Sequence, residues 1–286
     1  METLTTPQAM QAWTDAARRA GHRVALVPTM GALHDGHLAL VSEARRRAER
    51  VVVSIFVNPM QFNRRDDFER YPRTLDTDAA LCAGAGVDAV YAPSPAAMYP
   101  EGFQSHVEVA KLTDPLCGAA RPGHFRGVTT IVTKLFHAVR PDLAVFGEKD
   151  FQQLAVIRRM TADLDFGIAI VGVPTVREAD ALAMSSRNRL LSPSEREAAR
   201  CVPRALEAAA RAVRGGTTKA DAVVDAATAV IAGEPAARLE YAEARDPETL
   251  EAVEAVTGPT LLALAVWVGS VRLIDNRVLV PGGEDR

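Results

Sequence analysis

The sequence predicts an α/β protein, with a doubly wound parallel sheet over residues 1–175 and a smaller α+β domain over residues 176–286. Three observations carry that prediction. Short apolar runs alternate with helical patterns through the first 175 residues, the rhythm of a parallel sheet with helices on both faces. The run 51–57, Val-Val-Val-Ser-Ile-Phe-Val, is nearly continuous, as a strand covered on both faces should be. After Pro174 the order becomes helices first and strands later, the pattern of a separate α+β unit.

In chain order, strands are expected at 24–27, 51–57, 89–92, 143–146 and 168–173, each a short apolar run with polar or turn-forming neighbours. Helical periodicity fills 38–50, 74–85, 128–139 and 150–164 between them. Residues 176–191 read as a polar connector. Ala-rich helical patterns follow at 195–214 and 220–231, the second entered through Gly215-Gly216-Thr217-Thr218, and then strands at 239–244, 261–268 and 271–274. The tail from Pro281 to Arg286 is expected to fray. In doubly wound sheets, ligands sit beyond the carboxyl ends of the strands, near the reversal of strand order. Polar clusters fall at three such ends, 28–37, 58–61 and 147–150, which predicts one shared site.

The bulk numbers narrow the function classes. A chain of 286 residues accommodates two domains, and 48% hydrophobic with 24% charged residues is ordinary globular composition. A net charge of −3 offers no electrostatic case for nucleic acid or an anionic membrane. Cys82, Cys117 and Cys201 lack C-x-x-C spacing and fit reduced thiols better than a disulfide framework. Residues 1–20 carry Asp15 and no continuous apolar stretch, and no run reaches the length of a membrane span, so a cytoplasmic protein is expected. Only four lysines, Lys111, Lys134, Lys149 and Lys219, stand among the 33 basic residues, so a lysine placed in a site is informative.

The most informative segment is Met30-Gly31-Ala32-Leu33-His34-Asp35-Gly36-His37, lying between the first expected strand and a helix. A Gly-punctuated turn entering a helix is an anion site, because unpaired N–H groups and the positive dipole end converge there. With the helix starting near Asp35, His34 and His37 point the same way. The spacing does not suit a metal site, which favours an i, i+4 pair or a cysteine partner. Asn58 and Gln61, beyond the Pro59 that ends the second long strand, offer amides to a hydroxyl or carboxylate; an Asx-type turn with Gln61 solvated is the alternative. Gly147-Glu148-Lys149-Asp150 closes another strand. There Gly147 permits a tight turn, Lys149 carries charge toward an anion, and Asp150 caps a helix, holds the lysine or helps hold Mg²⁺. Gln153, at i+4 from Lys149, shares its face better than Gln152 does. Met184-Ser185-Ser186-Arg187 supplies two hydroxyls and a guanidinium for phosphate oxygens, or is an ordinary loop. Arg121, His124 and Arg126 in a Gly/Pro loop have no assigned role, and His22, His106 and His137 read as structural.

Taken together and in this order, these motifs resemble the pantothenate synthetases (pantoate–β-alanine ligases), a family within the HxGH nucleotidylyltransferases. They are joined by Tyr71-Pro-Arg-Thr74, Val173-Pro-Thr-Val-Arg-Glu178 and Leu273-Ile-Asp-Asn276. The resemblance runs from about residue 20 to 195 and again, weakly, near 273–276. It implies a Rossmann-like first domain and ATP-dependent condensation of (R)-pantoate with β-alanine through a pantoyl-adenylate, with Mg²⁺ accompanying ATP. His37, His34 and Lys149 would be catalytic. ATP would contact the residues from Met30 to His37, those from Gly147 to Asp150, Val176, and those from Met184 to Arg187. Gln61 and Gln153 would bind pantoate with Asn58 nearby, and Gln61 would also serve β-alanine. Asp150 and Asp78 are the candidates beside the metal. The C-terminal domain would act as a lid and the protein as a homodimer. Ala183 departs from the wider superfamily, which usually keeps a lysine before the Met-Ser pair; Arg187 supplies the charge instead. The rivals are another HxGH adenylyl- or cytidylyltransferase and a nucleotide-binding protein without turnover.

Overall fold

The computed structural model describes residues 1–283, and the chain forms two compact units. The first comprises Met1–Glu148 and Gln153–Val173; the second comprises Lys149–Gln152 and the residues from Pro174 onward.

The first unit is a six-stranded, wholly parallel sheet. Its strands are β1 (Glu2–Leu4), β2 (Val24–Thr29), β3 (Arg50–Ile55), β4 (Ala89–Tyr91), β5 (Leu143–Gly147) and β6 (Ala169–Val173), in the spatial order β1-β4-β3-β2-β5-β6. β2 is central and pairs on one side with β3, Val27 opposite Val53, and on the other with β5, Ala25 opposite Leu143. The order reverses at the β2/β5 boundary, so the carboxyl ends of β2, β3 and β5 converge on the crevice where such sheets take ligands. Val24–Val27 and Val51–Val53 are fully buried, as their unbroken apolar runs require.

All five expected strands of this unit form, with β2 two residues longer and β3 ending two residues earlier than expected. The sequence reading missed β1 and the helix Pro7–Arg19. The signal was present, since Thr6 caps that helix by accepting from the Ala9 N–H at 3.2 Å and Pro7 stands in its first turn. The helix after β2 spans Asp35–Arg47, three residues earlier than its apolar periodicity suggested.

The second unit has an antiparallel sheet, β7 (Ala237–Arg245), β8 (Thr260–Val268) and β9 (Val271–Leu279), in that order. The helices Cys201–Arg214 and Ala220–Ala232 bury Ala205, Leu206, Ala209, Val223 and Ala227 in one cluster with Leu262, Leu264 and Val266 of β8. Small alanines let these helices lie close to the sheet. β9 runs five residues beyond its expected end, because half-polar residues such as Asp275 and Asn276 hide its alternation. The expected fraying of the tail concerns, from Glu284 on, positions outside the described residues.

Candidate active site

In the first unit the chain leaves β2 at Thr29 and turns left-handed at two successive residues, Gly31 (φ +82°) and Ala32 (φ +51°). A Cβ at Gly31 would lie 2.9 Å from Asp78 Oδ2 and 3.1 Å from the Ile55 side chain, so the position is glycine for both its dihedral and its space. Asp78, only 1% exposed, is the reason for the crowding. Its Oδ2 accepts from the Ala32 N–H at 2.9 Å and from the Thr74 hydroxyl at 3.0 Å, and its Oδ1 accepts from the Leu33 N–H at 2.8 Å. Thr29 adds a hydroxyl that accepts from the Gly31 N–H at 3.2 Å. The His34 N–H donates to His37 Nδ1 at 3.3 Å.

Two expectations change here. The turn was expected to offer unpaired amides to an anion, yet the amides of residues 31 to 34 all have partners within the protein. What remains for an anion is the first turn of the helix Asp35–Arg47, with its positive dipole end. Asp78, a candidate beside Mg²⁺, instead spends both oxygens on the turn.

His34 and His37 do come together, with ring centroids 4.1 Å apart. Because His37 Nδ1 accepts a backbone N–H, the neutral ring carries its proton on Nε2 and presents a donor there.

The segment after β3 is a short 3₁₀ turn, Pro59–Gln61, packed on the N-terminal part of the helix His124–Val139. The approach is so close that a Cβ at Gly127 would sit 2.4 Å from the Met60 carbonyl oxygen and 2.7 Å from the Gln61 nitrogen. Asn58 is buried beneath this turn. Its Nδ2 donates to the Gly127 carbonyl at 3.1 Å and to Gln61 Oε1 at 2.9 Å, while its Oδ1 accepts from the Met60 N–H at 3.3 Å. Gln61 Nε2 donates to the Met30 sulfur at 3.2 Å, which joins this cluster to the histidine turn.

The loop before that helix, left open by the sequence, also acts on Gln61. Arg121 Nη2 donates to the Gln61 carbonyl at 3.0 Å, and His124 Nδ1 lies 2.8 Å from the same oxygen, so it bears a hydrogen. Arg126 is exposed. Gly147, expected to permit a tight turn, has no positive φ, and the chain continues from β5 straight into the 3₁₀ turn Glu148–Asp150. A Cβ there would meet no protein atom within 4 Å.

In the second unit, residues 176–191 are an organised loop with few loose groups. Met184 N–H donates to the Val176 carbonyl at 2.9 Å and Glu178 N–H to the Leu182 carbonyl at 2.8 Å, with a left-handed Ala181 (φ +68°) at the reversal. Ser185 Oγ then caps the 3₁₀ turn Ser186–Leu190 by accepting from the Arg187 N–H at 3.3 Å. Two anchors hold this loop. Arg177 makes a bidentate pair with the buried Asp275 of β9, at 2.7 and 3.0 Å. Arg196 pairs with Glu178 at 2.8 Å and with both oxygens of Asp180 at 2.8 and 2.9 Å. The Arg196 hydrogen bonds hold the Asp180 carboxyl below its ordinary range. Burial pushes Glu178 up, but hydrogen bonds from Arg196 and Asn188 outweigh it and bring that carboxyl below its ordinary range too.

Lys149 packs with this second unit. Asn276, beside Asp275, donates to the Lys149 carbonyl at 2.9 Å, and Asp150 stands 3.8 Å from the lysine Nζ. Lys149, Asp150, Val176, Met184, Ser185, Ser186 and Arg187 therefore belong to one compact unit; Met30 to His37, Asn58, Gln61, Gly147, Glu148 and Gln153 belong to the other. The sequence reading missed Thr74 and Asp78 as supports of the turn, Asp275 and Asn276 as anchors, and Tyr99, whose hydroxyl donates to Asn58 Oδ1 at 2.7 Å. Asp275 and Asn276 were visible as part of a motif, whereas Tyr99 had no local signal.

Cys82, Cys117 and Cys201 are buried and form no disulfide among the described residues, and burial pushes Cys82 and Cys201 up to about 11, which keeps them thiols. No helix among the described residues is long and apolar enough to cross a membrane.

A family model for pantoate–β-alanine ligase matches residues 2–278. A pantothenate synthetase of Geobacter sulfurreducens is 55% identical over 270 residues, covering 94% of this chain and 95% of its own. The crystal structure of the Thermus thermophilus pantothenate synthetase superposes with a TM-score of 0.93 at 45% identity, covering 98% of this chain and 100% of that one. The Francisella tularensis pantoate–β-alanine ligase, complexed with β-γ ATP and β-alanine, superposes with a TM-score of 0.82 at 29% identity over 99% of both chains.

Proposed function

The chain belongs to the pantoate–β-alanine ligase family, and from that premise we propose how its own residues carry the ATP-dependent joining of pantoate to β-alanine. Pantoate's carboxylate oxygen attacks the α-phosphorus of ATP, the bond to the bridging oxygen breaks, and pyrophosphate leaves. The amine of β-alanine then adds to the acyl carbonyl of pantoyl-adenylate, its proton passes to solvent, and AMP leaves with pantothenate formed. The first step brings together two anions that repel in water, so the protein must orient them and absorb charge as it develops on the phosphates.

We assign those tasks by unit. In the first, His37 Nε2–H and His34 donate to the phosphates at the start of their helix, and the backbone from Met30 to Gly36 lies along the nucleotide. Gly147, where no side chain intervenes, admits its close approach, with Glu148 beside it. Gln61 and Gln153 bind pantoate, Gln61 also serves β-alanine, and Asn58 stands behind Gln61. In the second unit, Lys149, Ser185, Ser186 and Arg187 hold phosphate oxygens, while Val176 and Met184 contact the adenosine.

The described residues contain no cluster of three or more side chains that could hold a metal ion by themselves. Mg²⁺ arriving with ATP would lean on the nucleotide's phosphates and water, with Asp150 as the carboxylate assigned beside it. The ion would neutralise phosphate charge. A homodimer, which the resemblance implies, and a cytoplasmic location complete the reading; sedimentation at the monomer mass would remove the first.

The match over residues 2–278 carries the reaction assignment. Its test is ATP–pyrophosphate exchange. Exchange that requires pantoate and proceeds without β-alanine is the expected result. Tight ATP binding without exchange, or exchange supported by a different acid, would overturn it.

A further inference from the structure

We propose that Tyr99 is a positioning residue for the acid substrate, acting through Asn58 to fix which end of the Gln61 amide is presented. The inference rests on the assignment of pantoate to Gln61 made above.

The polarity follows from two backbone groups. One end of the Asn58 amide faces the Met60 N–H at 3.3 Å, a donor, so that end is oxygen. The other faces the Gly127 carbonyl at 3.1 Å, an acceptor, so that end is the NH₂. This NH₂ also reaches Gln61 at 2.9 Å, which makes the facing Gln61 atom its oxygen and turns its NH₂ outward, toward Met30. Gln61 therefore meets its substrate as a donor, matched to a carboxylate or a hydroxyl lone pair.

Tyr99 reinforces this at the buried end. Its hydroxyl, 2.7 Å from Asn58 Oδ1, makes the shortest bond of the relay. Burial pushes the Tyr99 phenol well above its ordinary range, so it stays a donor. A flipped Asn58 would lose the bond that the hydroxyl donates to Oδ1, would set its NH₂ against the Met60 N–H and its oxygen against the Gly127 carbonyl, and would leave Gln61 free to turn. The ring itself is held by Phe56 and Phe103, at centroid distances of 6.1 and 5.1 Å, so Tyr99→Phe removes the hydroxyl and leaves the packing in place.

The experiment is pantoate-dependent ATP–pyrophosphate exchange with the full chain, measuring KM for each substrate beside the melting temperature. Tyr99→Phe is expected to raise KM for pantoate about fivefold, the scale of one buried hydrogen bond, with KM for ATP within about twofold. In a Gln61→Ala background the same substitution should add nothing. Equal rises in both KM values with a lowered melting temperature would show a general structural role and overturn the proposal. So would an undiminished effect in the Gln61→Ala background. Gln61→Ala alone separates the two readings: an unchanged pantoate KM there removes pantoate from Gln61 and this proposal with it. A raised value in Gln61→Ala beside an unchanged one in Tyr99→Phe overturns the role of Tyr99 only.

Discussion

The histidine turn at 30–37 and the serine loop at 176–191 are both polar segments assigned to phosphate chemistry, yet they are made rigid in opposite ways. The first is held from beneath by one buried carboxylate, Asp78, accepting from two consecutive amides. The second is held by cations: Arg177 on Asp275, and Arg196 on Glu178 and Asp180. Where the main chain makes a left-handed turn it leaves amides to satisfy, and an acceptor meets that need. Where the chain folds back on itself its amides are already paired, so side-chain ion pairs set the loop's position. The histidine turn thus rests on a carboxylate and the serine loop on guanidinium groups.

The largest expected effects fall on the groups that the two supports serve. His37→Ala and Lys149→Ala should each lower kcat about 10²-fold, the scale of losing one preorganised donor to developing charge. Near-normal turnover in either would remove that residue from the chemistry and leave its loop without the purpose assigned to it.

The supports come next. Asp78→Ala leaves two amides and a hydroxyl without their acceptor, at about 1–3 kcal/mol for each buried group, and should lower unfolding free energy by about 3 kcal/mol or more. Arg177→Ala strands the buried Asp275 charge and should cost about 3–5 kcal/mol. Denaturant unfolding of both variants checks this, and a loss below about 1 kcal/mol in Asp78→Ala would show that the turn holds without its carboxylate.

Acid separates the two loops more gently. Asp180 titrates lower in the fold than its ordinary value of 3.8, so its contribution is fully present above that value and is lost as pH falls through the folded value. The loss should be on the order of 1 kcal/mol or less, because the pair is partly exposed to solvent. Unfolding followed from pH 6 down to pH 3 (about the range in which carboxylates protonate) should show this slope in the parent and lack it in Arg196→Ala. A slope equal in both would break the link between the ion pairs and the loop. Smallest of all, His22→Ala and His137→Ala should leave turnover within about threefold, since neither side chain stands in the assigned machinery. A larger loss in the exchange assay would show that a catalytic group had been overlooked.

The same contrast explains what the sequence made legible. Unbroken apolar runs such as 51–53 announced the sheet, because burial on both faces leaves no other composition. The two histidines and the serine pair were legible as motifs, their chemistry being local. Their supports were not. Asp78 lies 46 residues from the Ala32 amide it binds, Asp275 lies 98 from Arg177, and Tyr99 lies 41 from Asn58. Only the register of the sheets brings such residues together, so an acidic residue in the helix Leu75–Gly84 reads from sequence as one more solvated or metal-binding carboxylate. The short β1 was lost for a different reason: three half-polar residues at an edge carry no period to detect.

The four residues Lys149–Gln152 make both units discontinuous in sequence. No single cleavage point in the chain separates one unit from the other. A cut after Val173 would leave the fragment before it carrying Lys149 without the Asn276 bond to its carbonyl, and the fragment after it without its only lysine assigned to phosphate. For anyone dividing this protein to study its parts, the natural boundary is a pair of excisions and not a truncation.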